Sequence, residues 1–344
     1  MSVPFGLQMH DDLIPLGWSE DFEDAWRRLA ADGMLGRVSR LDRGWSTVQT
    51  DVAGAVVRVR NIGVDIAVGD WVVVSGDGER IEHVLTRRSA FVRRASFAGA
   101  FAEAHTIAAN IDVVLLLHSL SSLPNPRRLE RELVLAFDSG ATPAVVLTKS
   151  DAFDDTEEIR AHVAHTALGV AVHVVSSRSA QGLAELLDYG SDHRTVALLG
   201  ASGVGKSTLV NALVGADVQA TGDVRFGDQR GRHTTVAVEL VSMPGGGWLI
   251  DTPGLRAVSL WSSGRGIERA FADVFDQMDR CRFRDCKHEE EPDCAVQAAM
   301  ANGTLDPARV ESMKRLVAEE ASIEDEQREK ERAGDRRGVR KPRR

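Results

Sequence analysis

The run Gly200-Ala201-Ser202-Gly203-Val204-Gly205-Lys206-Ser207-Thr208 has the residue types and spacing of a loop that holds a nucleoside triphosphate. Its glycines permit a tight turn whose backbone N–H groups converge on phosphate oxygens, and a following helix adds the positive end of its dipole. Lys206 is suited to neutralise the β- and γ-phosphates, and the Ser207 hydroxyl to ligate Mg²⁺. About fifty residues further on, Asp251-Thr252-Pro253-Gly254 follows an apolar run. There Asp251 would hold Mg²⁺ through water, and the Gly254 amide would sense the γ-phosphate. Between them, Gly231-Arg232-His233-Thr234-Thr235 lies in a glycine-rich stretch suited to a mobile switch. One threonine would complete the Mg²⁺ shell, with Thr235 favoured over Thr234. His233 is either a catalytic or RNA-contacting group or an exposed loop histidine.

A base-reading motif, Thr148-Lys149-Ser150-Asp151, differs from the usual N-K-x-D by Thr for Asn. The Asp151 carboxylate can accept two hydrogen bonds from guanine N1 and N2, which adenine cannot offer. The Lys149 stem can lie along the base. Thr148 replaces a carboxamide that usually braces the loop, so guanine selectivity is expected to be retained but weaker. Ser176-Ser177 would present a backbone amide to guanine O6. In chain order the base reader precedes the phosphate loop, a rotation of the usual arrangement.

All three cysteines fall in one window, as Cys281, Cys286 and Cys294, with His288 between them. Three thiolates and an imidazole make a complete tetrahedral set for a structural Zn²⁺. The alternative is buried free cysteines. However, the window's acidic and basic residues give it little to pack with, so a metal is expected to hold it.

These residues need strands and helices to position them. Short runs at Leu35–Val38, Ser46–Thr50, Ala55–Val59, Trp71–Val74 and Ile81–Val84, broken by glycines, suggest a small β barrel, of which the OB type is a common nucleic-acid binder. Asp21–Ala31 ahead of it reads as a short amphipathic helix. From Asn110 the pattern alternates strand and helix. Strands are expected at Ile111–Leu117, Ala144–Leu147, Val172–Val175, Thr195–Leu199, Val236–Val241 and Gly247–Ile250, and helices at Arg127–Phe137, Glu157–Leu168, Leu183–Leu187 and Thr208–Val214. Such a rhythm argues for an open, mostly parallel sheet covered by helices. Beyond Ile267 the chain reads as helical and charged, and from about Gln327 as disordered.

The length of 344 residues calls for two or three domains, and no apolar run is long enough to span a membrane. Without a secretory leader, a cytoplasmic location is expected. The net charge is −9, yet residues 27–94 hold 12 Arg, no Lys and 8 acids. The last nine residues hold six bases and no acid. A basic front and a basic tail on an acidic body could grip a polyanion at two places.

Taken in order, the motifs resemble the RsgA (YjeQ) family of circularly permuted GTPases that depend on the small ribosomal subunit. The anchors are Gly69-Asp70-Trp71-Val72, Leu147–Asp151, Gly200–Thr208, Gly231–Thr235, Asp251–Gly254 and the Cys281, Cys286, His288, Cys294 set. The resemblance implies a multidomain α/β protein: a leader with a short helix (1–32), an OB-type barrel (33–95), a circularly permuted Ras-like P-loop GTPase domain (96–260), a helical zinc-binding domain (261–326) and a basic disordered tail (327–344). It implies GTP as substrate, Mg²⁺ and one structural Zn²⁺. It also implies coupling of hydrolysis to late maturation of the 30S subunit, with barrel and zinc module on 16S rRNA. The alternatives are a permuted GTPase acting on another RNA or the large subunit, or a GTP-dependent RNA-binding module with negligible turnover. A monomer is expected. Leu255 stands where Ras-like enzymes carry a water-orienting glutamine, so intrinsic turnover is expected to be slow.

Overall fold

The computed structural model describes residues 10–51, 54–94, 104–216, 238–251 and 265–338. The leader forms a 3-10 turn at Asp11–Leu16 and helix α1, Glu20–Leu29. Strands β1 (Met34–Asp42), β2 (Trp45–Gln49), β3 (Val56–Arg60), β4 (Trp71–Val74) and β5 (Ile81–Val84) follow at the five expected places. β1 pairs antiparallel with both β2 and β4, β2 pairs with β3, and β4 with β5. A parallel bridge, Arg60↔Arg80, links the end of β3 to the residue ahead of β5. Alternate residues point inward, and Val38, Val48, Val59, Val72, Val74 and Ile81 form a core of their own. β6 (Ala90–Arg94) and β7 (Ala104–Ala109) make a separate two-stranded sheet. This hairpin spans the domain boundary expected at 95/96.

The next elements are β8 (Val113–Ser119), α2 (Pro126–Ser139), β9 (Thr142–Thr148), α3 (Thr156–Thr166), β10 (Val172–Val174), α4 (Leu183–Leu187), β11 (Thr195–Gly200) and α5 (Lys206–Val214). α2 shows why the boundaries were legible. The Asn125 side chain caps its first turn, Pro126 occupies a position that needs no N–H, and Gly140 ends it in the left-handed region. β12 (Glu239–Ser242) and β13 (Trp248–Asp251) form a hairpin. β10, β9, β8, β11 and β13 are parallel neighbours, as expected. The sheet continues through antiparallel β12 into β1 by the pair Arg40↔Glu239. The front strands and the parallel sheet therefore belong to one hydrogen-bonded system.

Helices α6 (Arg265–Ala270), α7 (Ala272–Met278), α8 (Ala295–Ala301) and α9 (Pro307–Gly338) complete the chain. The helix runs through Gly338, which corrects the expectation of disorder from Gln327. The acid–base alternation read as disorder also supplies helix-stabilising pairs one turn apart, such as Arg328–Glu324. One apolar core joins the leader (Leu16, Phe22), β4 (Trp71), one sheet face (Val114, Leu116), α2 (Leu133), α8 (Val296) and α9 (Leu316). The opposite sheet face packs under α4 and α5.

The motif Gly69-Asp70-Trp71-Val72 is a joint between these parts. Gly69, at φ 92°, lies against the Ala109 carbonyl, where a β-carbon would collide with backbone. Buried Asp70 accepts Arg87 Nε and Nη2, each at 2.7 Å, and the Ala67 amide. Burial raises the Asp70 acid above the ordinary range despite that partner.

Candidate nucleotide site and metal cluster

Two loops meet at the carboxyl edge of the parallel sheet. β11 ends at Gly200, and the chain turns through Ala201–Gly205 into α5, which begins at Lys206. Ser202, Ser207 and Thr208 lie in this same turn and first helical residues. Gly205 holds φ 95°, and a β-carbon there would stand 3.8 Å from the Thr148 hydroxyl. The second loop leaves β9 at Thr148, passes Lys149 at φ 65° and makes a short 3-10 turn at Ser150–Ala152.

The loops are bonded to each other. The Thr148 hydroxyl donates to Val204 O at 2.5 Å, with His118 O at 3.3 Å. Lys149 Nζ donates to Gly203 O at 2.7 Å. The brace expected to be missing with the carboxamide is therefore present. A threonine suffices because its hydroxyl reaches the Val204 carbonyl directly. Behind this contact, His118 Nε2 stands 2.9 Å from Glu132 Oε2 on α2, and both side chains are buried.

Asp151 Oδ1 accepts the Ser176 hydroxyl at 2.7 Å, which holds its carboxyl below the usual range. The Ser176 amide donates to Gln181 O at 3.1 Å, and the Ser150 hydroxyl to Gln181 Oε1 at 3.2 Å. Of the two serines expected to offer an amide, Ser176 is thus committed within its own loop. Sequence reading missed Gln181, which ties the 148–151 and 176–181 loops together. Nothing in its local spacing marks it, since its partners lie 31 and 5 residues away.

Asp251 closes β13, which runs parallel beside β11 with Ile250 opposite Ala197. Its backbone therefore lies on the same edge as the phosphate loop. His233, Thr234, Thr235, Gly254 and Leu255 lie outside the described residues.

At the far end of the chain, Cys281, Cys286, His288 and Cys294 bring their ligand atoms within 4.8 Å of one another. Cys281 Sγ is 3.6 Å from His288 Nδ1 and 3.9 Å from Cys294 Sγ, and Cys294 Sγ is 3.5 Å from His288 Nδ1. A tetrahedron with ordinary Zn–S and Zn–N bonds has edges of about 3.8 Å between sulfurs and about 3.6 Å from sulfur to nitrogen. The edges among Cys281, His288 and Cys294 fit that ion, and Cys286 lies within 4.8 Å of them as the fourth donor. Cys294 caps α8, and His288 sits at φ 58°. The Glu291 carboxylate accepts the amides of Glu289 and Lys287, both at 2.8 Å, and these hold its acid down to about 2. The two amides flank His288, so Glu291 shapes the turn that presents the imidazole.

The chain matches the family described as RsgA GTPase over residues 84–261. It is 42% identical over 330 residues to the small ribosomal subunit biogenesis GTPase RsgA of Streptomyces coelicolor, covering 91% of this chain and 88% of that protein. The chain belongs to the RsgA GTPase family. A Vibrio parahaemolyticus member, small ribosomal subunit biogenesis GTPase RsgA 2, is 38% identical over 90% of this chain and 86% of its own. Among solved structures, YjeQ from Thermotoga maritima superimposes with a TM-score of 0.63 at 24% identity, over 84% of this chain and 98% of that one. YloQ, described as a circularly permuted GTPase, gives 0.60 at 24% identity, over 90% and 96%. The rotated motif order is that of a circularly permuted GTPase fold.

Proposed function

We propose that this chain hydrolyses GTP in step with late maturation of the 30S ribosomal subunit. One observation carries the site reading: the base-reading and phosphate loops, 54 and 56 residues apart in sequence, are bonded directly through Lys149–Gly203 and Thr148–Val204. Guanine held at Asp151 then fixes where the triphosphate meets Gly200–Thr208. The Ser177 amide faces guanine O6 in this reading, since that of Ser176 is spent. Lys206 balances phosphate charge, Ser207, Asp251 and Thr235 hold Mg²⁺, and Gly254 senses the γ-phosphate. When bound, Mg²⁺ neutralises charge that builds on the leaving diphosphate. Water attacks the γ-phosphorus, the bond to the bridging oxygen breaks, and GDP and phosphate leave. With Leu255 unable to orient that water, the 30S subunit supplies the missing group or orders His233 and the switch loops.

The relatives named for small ribosomal subunit biogenesis support the partner, and with it a cytoplasmic site of action. No helix among the described residues is long and apolar enough to cross a membrane. The strand cycle β1-β2-β3-β5-β4 supports an OB-type barrel that touches 16S rRNA. On its outward face the Trp45 ring lies beneath the guanidinium groups of Arg58 and Arg60, at 5.3 and 5.4 Å. Such a ring and its cations suit a stacked base and its phosphates. The Cys281, Cys286, His288 and Cys294 cluster holds one structural Zn²⁺, and the protein acts as a monomer.

The test is GTP hydrolysis by purified protein with and without 30S subunits. A rise of at least about tenfold with 30S, absent with 50S, is expected. Equal rates in all three conditions would overturn the coupling.

A further inference from the structure

The leader is tied to two strands that carry nucleotide loops, directly to β13 and through Arg37 of β1 to β11. Thr195 of β11 and Trp248 of β13 are paired directly opposite each other at the amino ends of these strands. Each is tied to one of two consecutive leader carbonyls. Trp248 Nε1 donates to Pro15 O at 2.9 Å. Arg37 Nη2 donates to Thr195 Oγ1 at 2.6 Å, and Nη1 of the same guanidinium donates to Leu16 O at 2.5 Å.

The leader has little room to shift. Gly17 turns at φ 90°, and a β-carbon there would stand 2.9 Å from Arg37 Nη1 and 3.0 Å from the His193 carbonyl. Leu13, Leu16, Trp18 and Phe22 are buried. The Trp18 ring meets Trp71 edge-on at 4.7 Å, and Arg37 lies over Trp71 at 5.7 Å. Glu23 locks the fold of the leader on itself by accepting Trp18 Nε1 and the His10 amide.

We infer that Trp248, Arg37 and Thr195 are positioning residues of the GTP site, acting through the Pro15 and Leu16 carbonyls. Together they set β13 against β11 and thereby the Asp251 end of one strand against the phosphate loop at the end of the other. This inference rests on the reading of Asp251 as a Mg²⁺ group. Five residue steps along β11 separate Thr195 from Gly200, or roughly 17 Å at strand rise, and the paired strands between them are buried. A stiff pair of strands pinned at one end carries a small lateral error to the other. Hydrolysis is sensitive to such errors because the metal and the γ-phosphate must be aligned before reaction. Arg37, Thr195, Leu16 and Trp248 are buried and Pro15 is half-buried, so water does not readily replace a lost bond at Arg37.

The test uses the full-length chain with its zinc. Trp248→Phe removes the donor and keeps the ring. Thr195→Val removes the acceptor and keeps the shape, and Arg37→Lys keeps the charge but not the fork. Trp248→Phe, the mildest change, guards against a variant that fails to fold. The hydrolysis rate at saturating GTP, the KM for GTP and the Mg²⁺ concentration for half-maximal rate are measured on protein whose Tm is recorded. Each variant is expected to lose about fivefold in kcat and to need more Mg²⁺, with KM for GTP within about twofold. Arg37→Lys is expected to fall between the wild type and Arg37→Met. Unchanged kcat and Mg²⁺ requirement in both Trp248→Phe and Thr195→Val would overturn the inference, as would losses that merely track the unfolded fraction. Asp251→Asn separates the two readings. If it loses Mg²⁺-dependent hydrolysis while the clamp variants match wild type, only the clamp fails. If it keeps normal Mg²⁺ dependence, the site reading itself fails.

Discussion

Arg37 on β1 and Arg309 on α9 stand at the two seams where the leader and the last helix meet the rest of the fold. Both are buried, and both cross long stretches of sequence. Arg37 joins the leader to β11, and Arg309 joins α9 to α7 and to the end of α3. Their partners differ in kind. Arg37 is held by the carbonyls of Leu16, Gly69 and Asn110 and the hydroxyl of Thr195. Arg309 forms a two-pronged pair with Asp273, both bonds at 2.8 Å, and adds the carbonyls of Thr166 and Ala270. Burial lowers the Arg37 pKa to about 10, with the more distant Asp112 opposing that shift. A cation met by an anion is costly to unpair, whereas one met by neutral acceptors carries desolvation that its bonds offset only in part. The carboxyl-terminal seam is thus a fixed joint. The leader seam, which adjoins the nucleotide strands, is held with less margin.

The largest expected effect lies beyond the fixed joint. Cys294→Ser, or chelation during mild heating, should release about one zinc per chain and lower the Tm by roughly 10 °C or more. Purified protein with far less than one zinc per chain and a Tm indifferent to chelator would contradict the metal site. Next come the arginines themselves. In urea unfolding, Arg309→Met should cost about 3 kcal/mol because it strands Asp273 and two carbonyls. Arg37→Met should cost less, about 1–2 kcal/mol, since relief of a buried charge offsets part of the loss. The reverse order would break the comparison of the seams. Between them sits the loop brace, where Thr148→Val should weaken GTP binding about fivefold and Thr148→Ser should restore it. Equal affinity in both variants would show that the hydroxyl carries no weight.

The smallest effect sharpens the contrast through pH. At the leader seam burial raises the Glu23 pKa, but hydrogen bonds from His10 and Trp18 outweigh it, so the acid lies below its ordinary value of 4.5. Its stabilisation is present above that value and is lost as pH falls through the folded-state pKa. At the other seam, burial raises the Glu130 pKa above 4.5 despite its bond with Ser312. Native Glu130 binds the proton more tightly than the unfolded chain does, so its contribution declines as pH rises from 4.5 through the folded-state pKa. Glu23→Gln should flatten the acid limb of a stability–pH curve, and Glu130→Gln the decline above it. Denaturant midpoints between pH 3 and 7 report both; slopes that shift in the same direction would remove the distinction.

Much of the site was legible because its parts are contiguous. Gly200–Thr208 needs only neighbouring glycines, one lysine and one serine, and the helix after it follows from the motif itself, which opens a helix at its lysine, since Ser207, Thr208, Val210, Asn211 and Val214 are weak helix formers. The places of β1 to β5 followed from apolar, β-branched runs and glycine punctuation, though β1 runs on to Asp42 beyond the expected Val38, and the cysteine window followed from its isolation. The β6–β7 hairpin was not legible, because Ala90–Arg94 and Ala104–Ala109 hold few of the β-branched residues that mark a strand. Gln181 was not legible because its importance lies in joining two loops. The helix beyond Gln327 was missed because charge alternation suits both a solvated helix and a disordered tail.

Sequence by itself carries the proposed chemistry: the phosphate loop, the base reader, their rotated order and the four candidate metal ligands each lie in a short stretch that can be read without a distant partner. Tertiary structure alone decided how that chemistry is held. It placed Thr148 against Val204, spent the Ser176 amide, and brought the leader carbonyls to Trp248 and Arg37. Arg37 and Thr195 are 158 residues apart, and no local pattern can foretell such a meeting. Only the burial of a shared core makes it, because that core fixes which distant polar groups must satisfy one another.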